Sequence, residues 1–489
     1  MIIPPSYDYS GLTVVLSNPS RFDIDHNTLM SGGGGAFFNN ECLAPLGLST
    51  AYCDIRTVNE RTLREGTKAI LLLGEEALHI WGGKEYLDYS INEQRGYLVG
   101  TNPTMIASYL PQDCADIVNW EGKLNPLLTQ KDDEKEDKSA IGEKSRHGIT
   151  NRANYGFWLI QDTRKLVGII RNGIPEEPSP KYIIYPSSSM IIDLLRGTKE
   201  ADLHFDIETN FPGTNITVFS IAYDNTIYTV PILRYDYSNA YNDLAFANIF
   251  RALSVSFSNN QVVIHNSLFD LLITAWRYFI PAPLKIYDTM LAFHRCFPEQ
   301  EKSLGHVMSW GTYQPYHKDE GHFNPQNRQQ EQQLWEYNAK DVYGLLLAKA
   351  AIEKFAEGNT GLQLSIQEGN RRIRPYLINT LFGIKYDEQR RQGIIKENDR
   401  LAMQYLRIIK LLCGTEVLPT SHKQCTKWFH EVMGYKPVKR TEKGNPSLDG
   451  DALYKLLLKN PENVSIKFFL KYRERIKETG SLKFTPFHS

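Results

Sequence analysis

The chain of 489 residues has little cysteine: Cys42, Cys53, Cys114, Cys296, Cys413 and Cys425 are scattered and form no CxxC pair. That spacing excludes a disulfide framework and a cysteine-based zinc site, and leaves reduced thiols as the expectation. No apolar run is long enough to span a bilayer, and Met1-Ile2-Ile3-Pro4-Pro5 is not a signal peptide. A soluble, cytoplasmic protein with no membrane partner is therefore expected. Net charge is also lacking, since 55 Lys and Arg stand against 56 Asp and Glu. The balance conceals an asymmetry, however. Residues 361–489 hold 24 basic and 13 acidic side chains, which leaves 31 and 43 in residues 1–360. Basic charge gathered in one region is the electrostatic footprint of contact with a phosphate backbone, whereas any single lysine run reads more plainly as a solvated face.

What is present is globular: 42% hydrophobic and 23% charged residues, at a length that suits about three domains. The chain is organised around Leu203-His204-Phe205-Asp206-Ile207-Glu208-Thr209-Asn210. Alternation inside a strand puts Asp206 and Glu208 on one face, because successive side chains point to opposite faces. Two adjacent carboxylates near a core repel each other unless a cation sits between them, or unless both simply face water at a strand end. More acids follow at suitable places. Gln261 to His265 reads as a short buried strand, Asn266 and Ser267 as a helix start, and Leu268 to Tyr278 as a helix whose first turn holds Asp270. Trp335 to Lys349 is helical in period, and its Tyr337 and Asp341, four apart, share a face.

The ordered set DIET, HNSLFD and YNAKD resembles the proofreading 3′-5′ exonucleases of family A (DNA polymerase I-like) enzymes, in the subgroup whose third motif is YxxxD. Ile286-Tyr287-Asp288-Thr289-Met290 and Lys302-Ser303-Leu304 resemble that family's stretch between the second and third motifs, with Asp288 expected to cap a helix. The resemblance implies hydrolysis of 3′-terminal nucleotides by two divalent ions, Mg²⁺ or Mn²⁺, held by hard oxygen ligands roughly 3.5–4 Å apart. It implies that Asp206 bridges both ions, that Glu208 and Asp341 complete one site, and that Asp270 holds the other partly through water. Tyr337 then orients the attacking water. By the same resemblance, Asn266 and the Thr209 backbone are expected to position the terminal nucleotide and Phe211 to wedge against its base.

The remaining segments extend this reading. Residues 1–128 read as an α/β unit, with Leu12-Thr13-Val14-Val15-Leu16 and Ala69 to Gly74 as buried strands and Glu75 to Trp81 as a helix. Gly32-Gly33-Gly34-Gly35 suits either a phosphate-approaching backbone or a flexible loop. Leu71 to Trp81, Arg95-Gly96 and Ala107 to Gln112 resemble the uracil-DNA glycosylase superfamily, with Leu110 where that family has histidine and Gln112 where it has serine. A degenerate domain that binds DNA or a replication protein is implied. Residues 129–150 are charged and aperiodic, which reads as a linker allowing independent motion on either side. About residues 151–355 are expected to form the exonuclease domain that the resemblance implies, with Lys181 to Tyr185, Ile216 to Tyr223 and Thr226 to Pro231 as strands, the last two around an Asp224-Asn225 turn.

Residues 356–489 are helical, with one helix expected from Ile366 to Leu381 and another from Tyr386 to Leu412. Gly383 to Asp387, Leu418 to Gln424, Gly434 to Pro437, Pro446 to Asp449 and Tyr472 to Lys477 resemble, in order, the thumb of family A polymerases. DxSxxELR, HDE and RxxxKxxxYG are missing, and Arg473 and Lys477 read as helix-surface charge. The expected fold class is multidomain α/β: a glycosylase-like domain, a ribonuclease H-like mixed-sheet exonuclease domain and a helical thumb. The implied partners are single-stranded 3′ ends, primer–template DNA, and a polypeptide carrying the palm and fingers of a split or truncated polymerase, with viral replication as a plausible setting. The rival expectations are an inactive DNA-binding scaffold and a free-standing RNA-processing exonuclease.

Overall fold

Runs such as Leu12 to Leu16 and Ala69 to Leu73 have almost no polar side, so they are stable as strands only when covered on both faces. In the computed structural model, which describes residues 9–115, 148–210, 214–315, 317, 320–321, 324–383, 385–440 and 446–483, they are β1 (Leu12–Leu16) and β3 (Ala69–Leu73), buried at every residue. With β2 (Asp54–Thr57), β4 (Leu98–Thr101) and β5 (Thr104–Ser108) they form a sheet of order β2-β1-β3-β5-β4, parallel except at β4. Numbering only helices of eight residues or more, α1 (Glu75–Gly82) follows β3, and α2 (Gly148–Asn172) packs against β3 and β5. Residues 129–147 of the expected linker lie outside the described residues. Trp158 and Leu166 of α2 share one apolar core with Leu71 and Ile106, so independent motion of the two sides of that stretch does not fit the packing.

The four glycines are neither a loop nor an anion cradle. Gly33–Phe37 is a short helical turn, and a Cβ on Gly35 would lie 1.8 Å from the Met30 carbonyl oxygen, one on Gly34 2.8 Å from the Gln112 nitrogen. Glycine is needed there because two backbones approach too closely for any side chain.

The second sheet has order β11-β10-β7-β8-β9-β6, from β6 (Lys181–Ile184), β7 (Asp202–Thr209), β8 (Ile216–Tyr223), β9 (Thr226–Pro231), β10 (Gln261–Ile264) and β11 (Lys285–Asp288). β7, β8 and β9 are antiparallel neighbours, and Asp224 and Asn225 between the last two both have positive φ, 46° and 54°, the backbone that a tight two-residue hairpin requires. β10 runs parallel to β7, and β11 to β10. Phe205, Ile207, Phe219 and Ile221 point into a core shared with α3 (Ser188–Gly197), α4 (Asp243–Asn259) and α5 (Ser267–Tyr278). By strand alternation His204, Asp206 and Glu208 face the other way, towards α8 (Arg328–Ala356), which packs on β7, β8 and β9. Between β11 and α8 lie α6 (Thr289–Cys296) and α7 (Leu304–Gly311).

The single helix expected from Ile366 to Leu381 is broken into α9 (Thr360–Arg371) and α10 (Ile373–Phe382). Pro375 lacks an N–H, and its ring excludes a helical carbonyl at Arg371, so a continuous helix cannot pass. The chain divides into two compact units after Gly383. This division lies later than the boundary expected near residue 355, because α9 packs on α6 and β11 and α10 on α5. The second unit is helical, with α11 (Glu388–Cys413), α12 (Gly450–Lys459) and α13 (Val464–Leu482) around Ile409, Phe429, Leu453, Ile466 and Phe469. Arg473 is not helix-surface charge. It is half-buried and donates to the Pro419 carbonyl at 2.7 Å and to the Leu448 carbonyl, tying two loops to α13. Among the described residues no helix is long and apolar enough to cross a membrane, and the six cysteines are free thiols. The class is multidomain α/β with two mixed sheets and a helical C-terminal part, as the sequence led us to expect.

Candidate metal centre

Helix α8 is pinned to the second sheet at both ends. In its first turn Glu331, 2% exposed, takes two hydrogen bonds from Arg234, 2.9 and 3.0 Å, and one from the Tyr235 N–H, 2.8 Å. About two turns before the end of the helix, Lys349 pairs with Asp202 at the start of β7, 2.9 Å, and with Glu353, 2.6 Å. The middle of α8 therefore lies over the polar face of β7, with Tyr337, Asn338 and Asp341 on the side that meets Asp206 and Glu208.

Asp206, Glu208 and Asp341 each place one carboxylate oxygen within 4.8 Å of the others. Asp206 and Glu208 are half-buried and Asp341 is buried. Asp270, also buried, stands in the first turn of α5 and accepts the Ile207 N–H at 3.2 Å, which brings it to the strand segment between the other two acids. Burial raises its carboxyl well above the ordinary carboxylate range, and repulsion from Asp206 and then Glu208 adds to this, while the Ile207 N–H works against it. A group of acids that costs this much to ionise together is a fit for hard divalent cations, which supply the missing positive charge. Burial also drives the Tyr337 phenol far above its usual value, with Asp341 and Glu208 contributing. The shift keeps the Tyr337 hydroxyl protonated at ordinary pH, so it is able to donate a hydrogen bond.

Two neighbours have no counterpart in the sequence analysis. His317 Nε2 lies 2.9 Å from Asp341 Oδ1, and its ring centroid is 5.9 Å from that of Tyr337. Asn338 Nδ2 donates to Asp206 Oδ2 at 2.7 Å. Asn338 stands inside YNAKD, three residues before Asp341, so helical spacing was a usable signal for it. His317 comes from an aperiodic stretch 24 positions before Asp341, and nothing in the sequence marks it.

The residues expected near the substrate are less gathered. Thr209 ends β7, just past an irregularity in its pairing with β8. Asn266 is exposed and left-handed, φ 58°, at the turn from β10 into α5, a conformation asparagine tolerates better than most residues. Asp288 braces that turn by accepting the Asn266 and Ser267 N–H groups at 3.2 and 2.8 Å, and it caps α6 through Met290 and Leu291. Phe211 lies outside the described residues.

No protein-family model matches the chain, and no curated protein matches it by sequence. Among solved structures the chain is similar to the POL domain of Pol1 from M. smegmatis, determined in complex with DNA primer-template and dNTP. The identity is 15% and the TM-score 0.42, over 61% of this chain and 49% of that one. The chain thus spans about half the length of that neighbour.

Proposed function

We propose that the chain is a metal-dependent 3′-5′ exonuclease that removes 3′-terminal nucleotides from single-stranded or frayed DNA, the proofreading part of a split or truncated family A DNA polymerase. The observation that carries this is the meeting of Asp206, Glu208 and Asp341 within 4.8 Å, with Asp270 bonded to the strand between the first two. Strand order supports a ribonuclease H-like domain: β7, β8 and β9 form a meander, and β10 and β11 extend the sheet beside β7.

Two divalent ions, Mg²⁺ or Mn²⁺, activate a water and neutralise the charge that builds on phosphorus when bound. Asp206, Glu208, Asp270 and Asp341 are the residues that would hold them. Tyr337, fixed as a donor beside Asp341, orients the attacking water. Thr209, Asn266 and Phe211 position the terminal nucleotide, the first two at the strand and helix ends that flank the acids. Residues 356–489 act as a thumb that grips primer–template DNA, which fits the 24 basic against 13 acidic side chains of residues 361–489. Residues 1–128 serve as a degenerate glycosylase-like binding domain, and palm and fingers belong either to a longer form of the same protein or to a separate polypeptide.

The test is incubation of 3′-labelled and 5′-labelled primer with the protein and Mg²⁺ or Mn²⁺. Stepwise shortening from the 3′ end is expected, lost in Asp206→Ala and in EDTA, and faster on DNA than on RNA of the same sequence. No shortening, or shortening equal to that of Asp206→Ala, refutes the proposal.

A further inference from the structure

Strand β11 is the last of its sheet among the described residues, so no strand lies beside its outer edge. Helices α9 and α10 close over that edge from different sides. Tyr287 shares a core with Ile366 of α9, whereas Ile286, which points to the other face of the sheet, shares one with Leu377 of α10. Because the chain breaks between the two helices, they leave an open cavity of about 940 Å³ at the start of β11. The cavity is remote from the acids. Its wall includes Gln261, which pairs in register with Asp202, and Asp206 stands four residues further along β7, about 13 Å at the rise of a strand.

Three exposed cationic side chains line this cavity, Lys285, Arg371 and Arg374. Among the described residues Lys285 and Arg374 form no ion pair, and Arg371 holds Glu368, which is not part of the wall, at 2.6 Å. The acid in the wall, Glu353, is already met by Lys349 at 2.6 Å. Solvation alone would account for three exposed cations. It does not account for Tyr287, which lines the same cavity, is 8% exposed, and has a buried hydroxyl with no hydrogen-bond partner. A buried donor left unpaired is costly, and a ligand in the cavity relieves that cost.

A peptide strand does not suit the edge. The Asp288 N–H points outward and is taken by Asn370 Oδ1 at 3.0 Å, so alternation leaves only the Ile286 N–H and carbonyl facing out within β11. A small ligand suits it better, since ligand pockets hold roughly 300–1,000 Å³. Three cations favour a doubly charged anion over a single carboxylate, and a phosphate monoester carries about −1.5 to −2 at pH 7. Guanidinium forks match its oxygens. Ile366 and Ile378 offer apolar wall to a flat ring, and the amides of Gln363 and Gln367 both donate and accept, as the edge of a nucleobase does.

We propose that this cavity binds a nucleoside monophosphate, its phosphate held by Lys285, Arg371 and Arg374 and its nucleoside against Tyr287, Ile366 and Ile378. The site does not rest on the metal-centre reading.

The experiment measures dAMP binding to the full chain by calorimetry in EDTA, and again in Asp206→Ala so that the acids take no part. Both proteins should bind one dAMP, more tightly than inorganic phosphate or ribose 5-phosphate, and adenosine should not compete. Lys285→Gln and Arg374→Gln, at exposed positions, should each weaken dAMP roughly 10–100-fold, the loss of one charge-assisted contact. Tyr287→Phe should weaken it roughly 2–10-fold and leave the melting temperature without ligand unchanged or higher, because the hydroxyl it removes has no partner in the free chain. A merely structural tyrosine predicts the opposite pair of results. Wild type that binds no dAMP, or binding that all three substitutions leave unchanged, overturns the site. Equal affinity for inorganic phosphate and dAMP overturns its assignment to a nucleotide.

Discussion

Replacing Glu208 by glutamine tests whether the acids converge because a cation is meant to join them. Glutamine keeps the size and one acceptor oxygen and removes the charge. At a separation of 4.8 Å and an effective dielectric constant of about 20, two carboxylates repel by about 3 kcal/mol. Glu208 faces Asp206 and Asp341 within that distance. Its half-exposure screens the repulsion, and protonation of a neighbour such as Asp270 relieves part of it, so a net gain of about 1–3 kcal/mol is expected from Glu208→Gln without metal. Thermal melting in EDTA at neutral pH should show the variant several degrees more stable than wild type. Adding Mn²⁺ should then reverse the order, because the ion stabilises wild type by mass action and finds one ligand fewer in the variant. A variant that melts at or below wild type in EDTA, or that gains as much from Mn²⁺, refutes the reasoning.

Two further outcomes follow from the packing around the site. Arg234→Met leaves the buried Glu331 carboxylate without its two-pronged partner and should destabilise the chain by about 3–5 kcal/mol in urea unfolding, loosening α8 and lowering exonuclease activity with it. His204, on the polar face of β7, is pushed down to about 4 by burial, with Asp202 opposing. Its folded value lies below its unfolded one, so the unfolded chain binds more protons between about pH 6.5 and 4, and stability falls as pH drops through that window. His204→Gln should flatten this part of the stability–pH curve by about 3 kcal/mol, measured by denaturant titration at pH 7 and pH 4.

Much of the site was legible because it rests on short-range periodicity. The parity of Asp206 and Glu208 on a strand, and the interval of four between Tyr337 and Asp341 on a helix, are consequences of backbone geometry that hold wherever the elements sit. Asp288 as a cap and Asp224-Asn225 as a hairpin turn are equally local, and the structure has both. Misreadings arose where a residue's role is set by distant groups. Arg473 matched a surface pattern, yet its guanidinium meets carbonyls 54 and 25 positions away. The glycines at 32–35 were read for their freedom, whereas Gly34 and Gly35 are there because backbone passes against them. The break at Arg372 was within reach, since Pro375 announces it.

The sequence by itself determined which side chains are available for chemistry and which face of its own element each occupies, because those follow from periods of 2 and 3.6 residues and from local caps. Only the tertiary structure decided that α8 lies across β7 with Asp341 near Asp206 and Glu208, and that His317 and Asn338 join them. The reason is that these distances depend on anchors such as Arg234 with Glu331 and Lys349 with Asp202, ion pairs joining positions 97 and 147 residues apart, which no local pattern encodes.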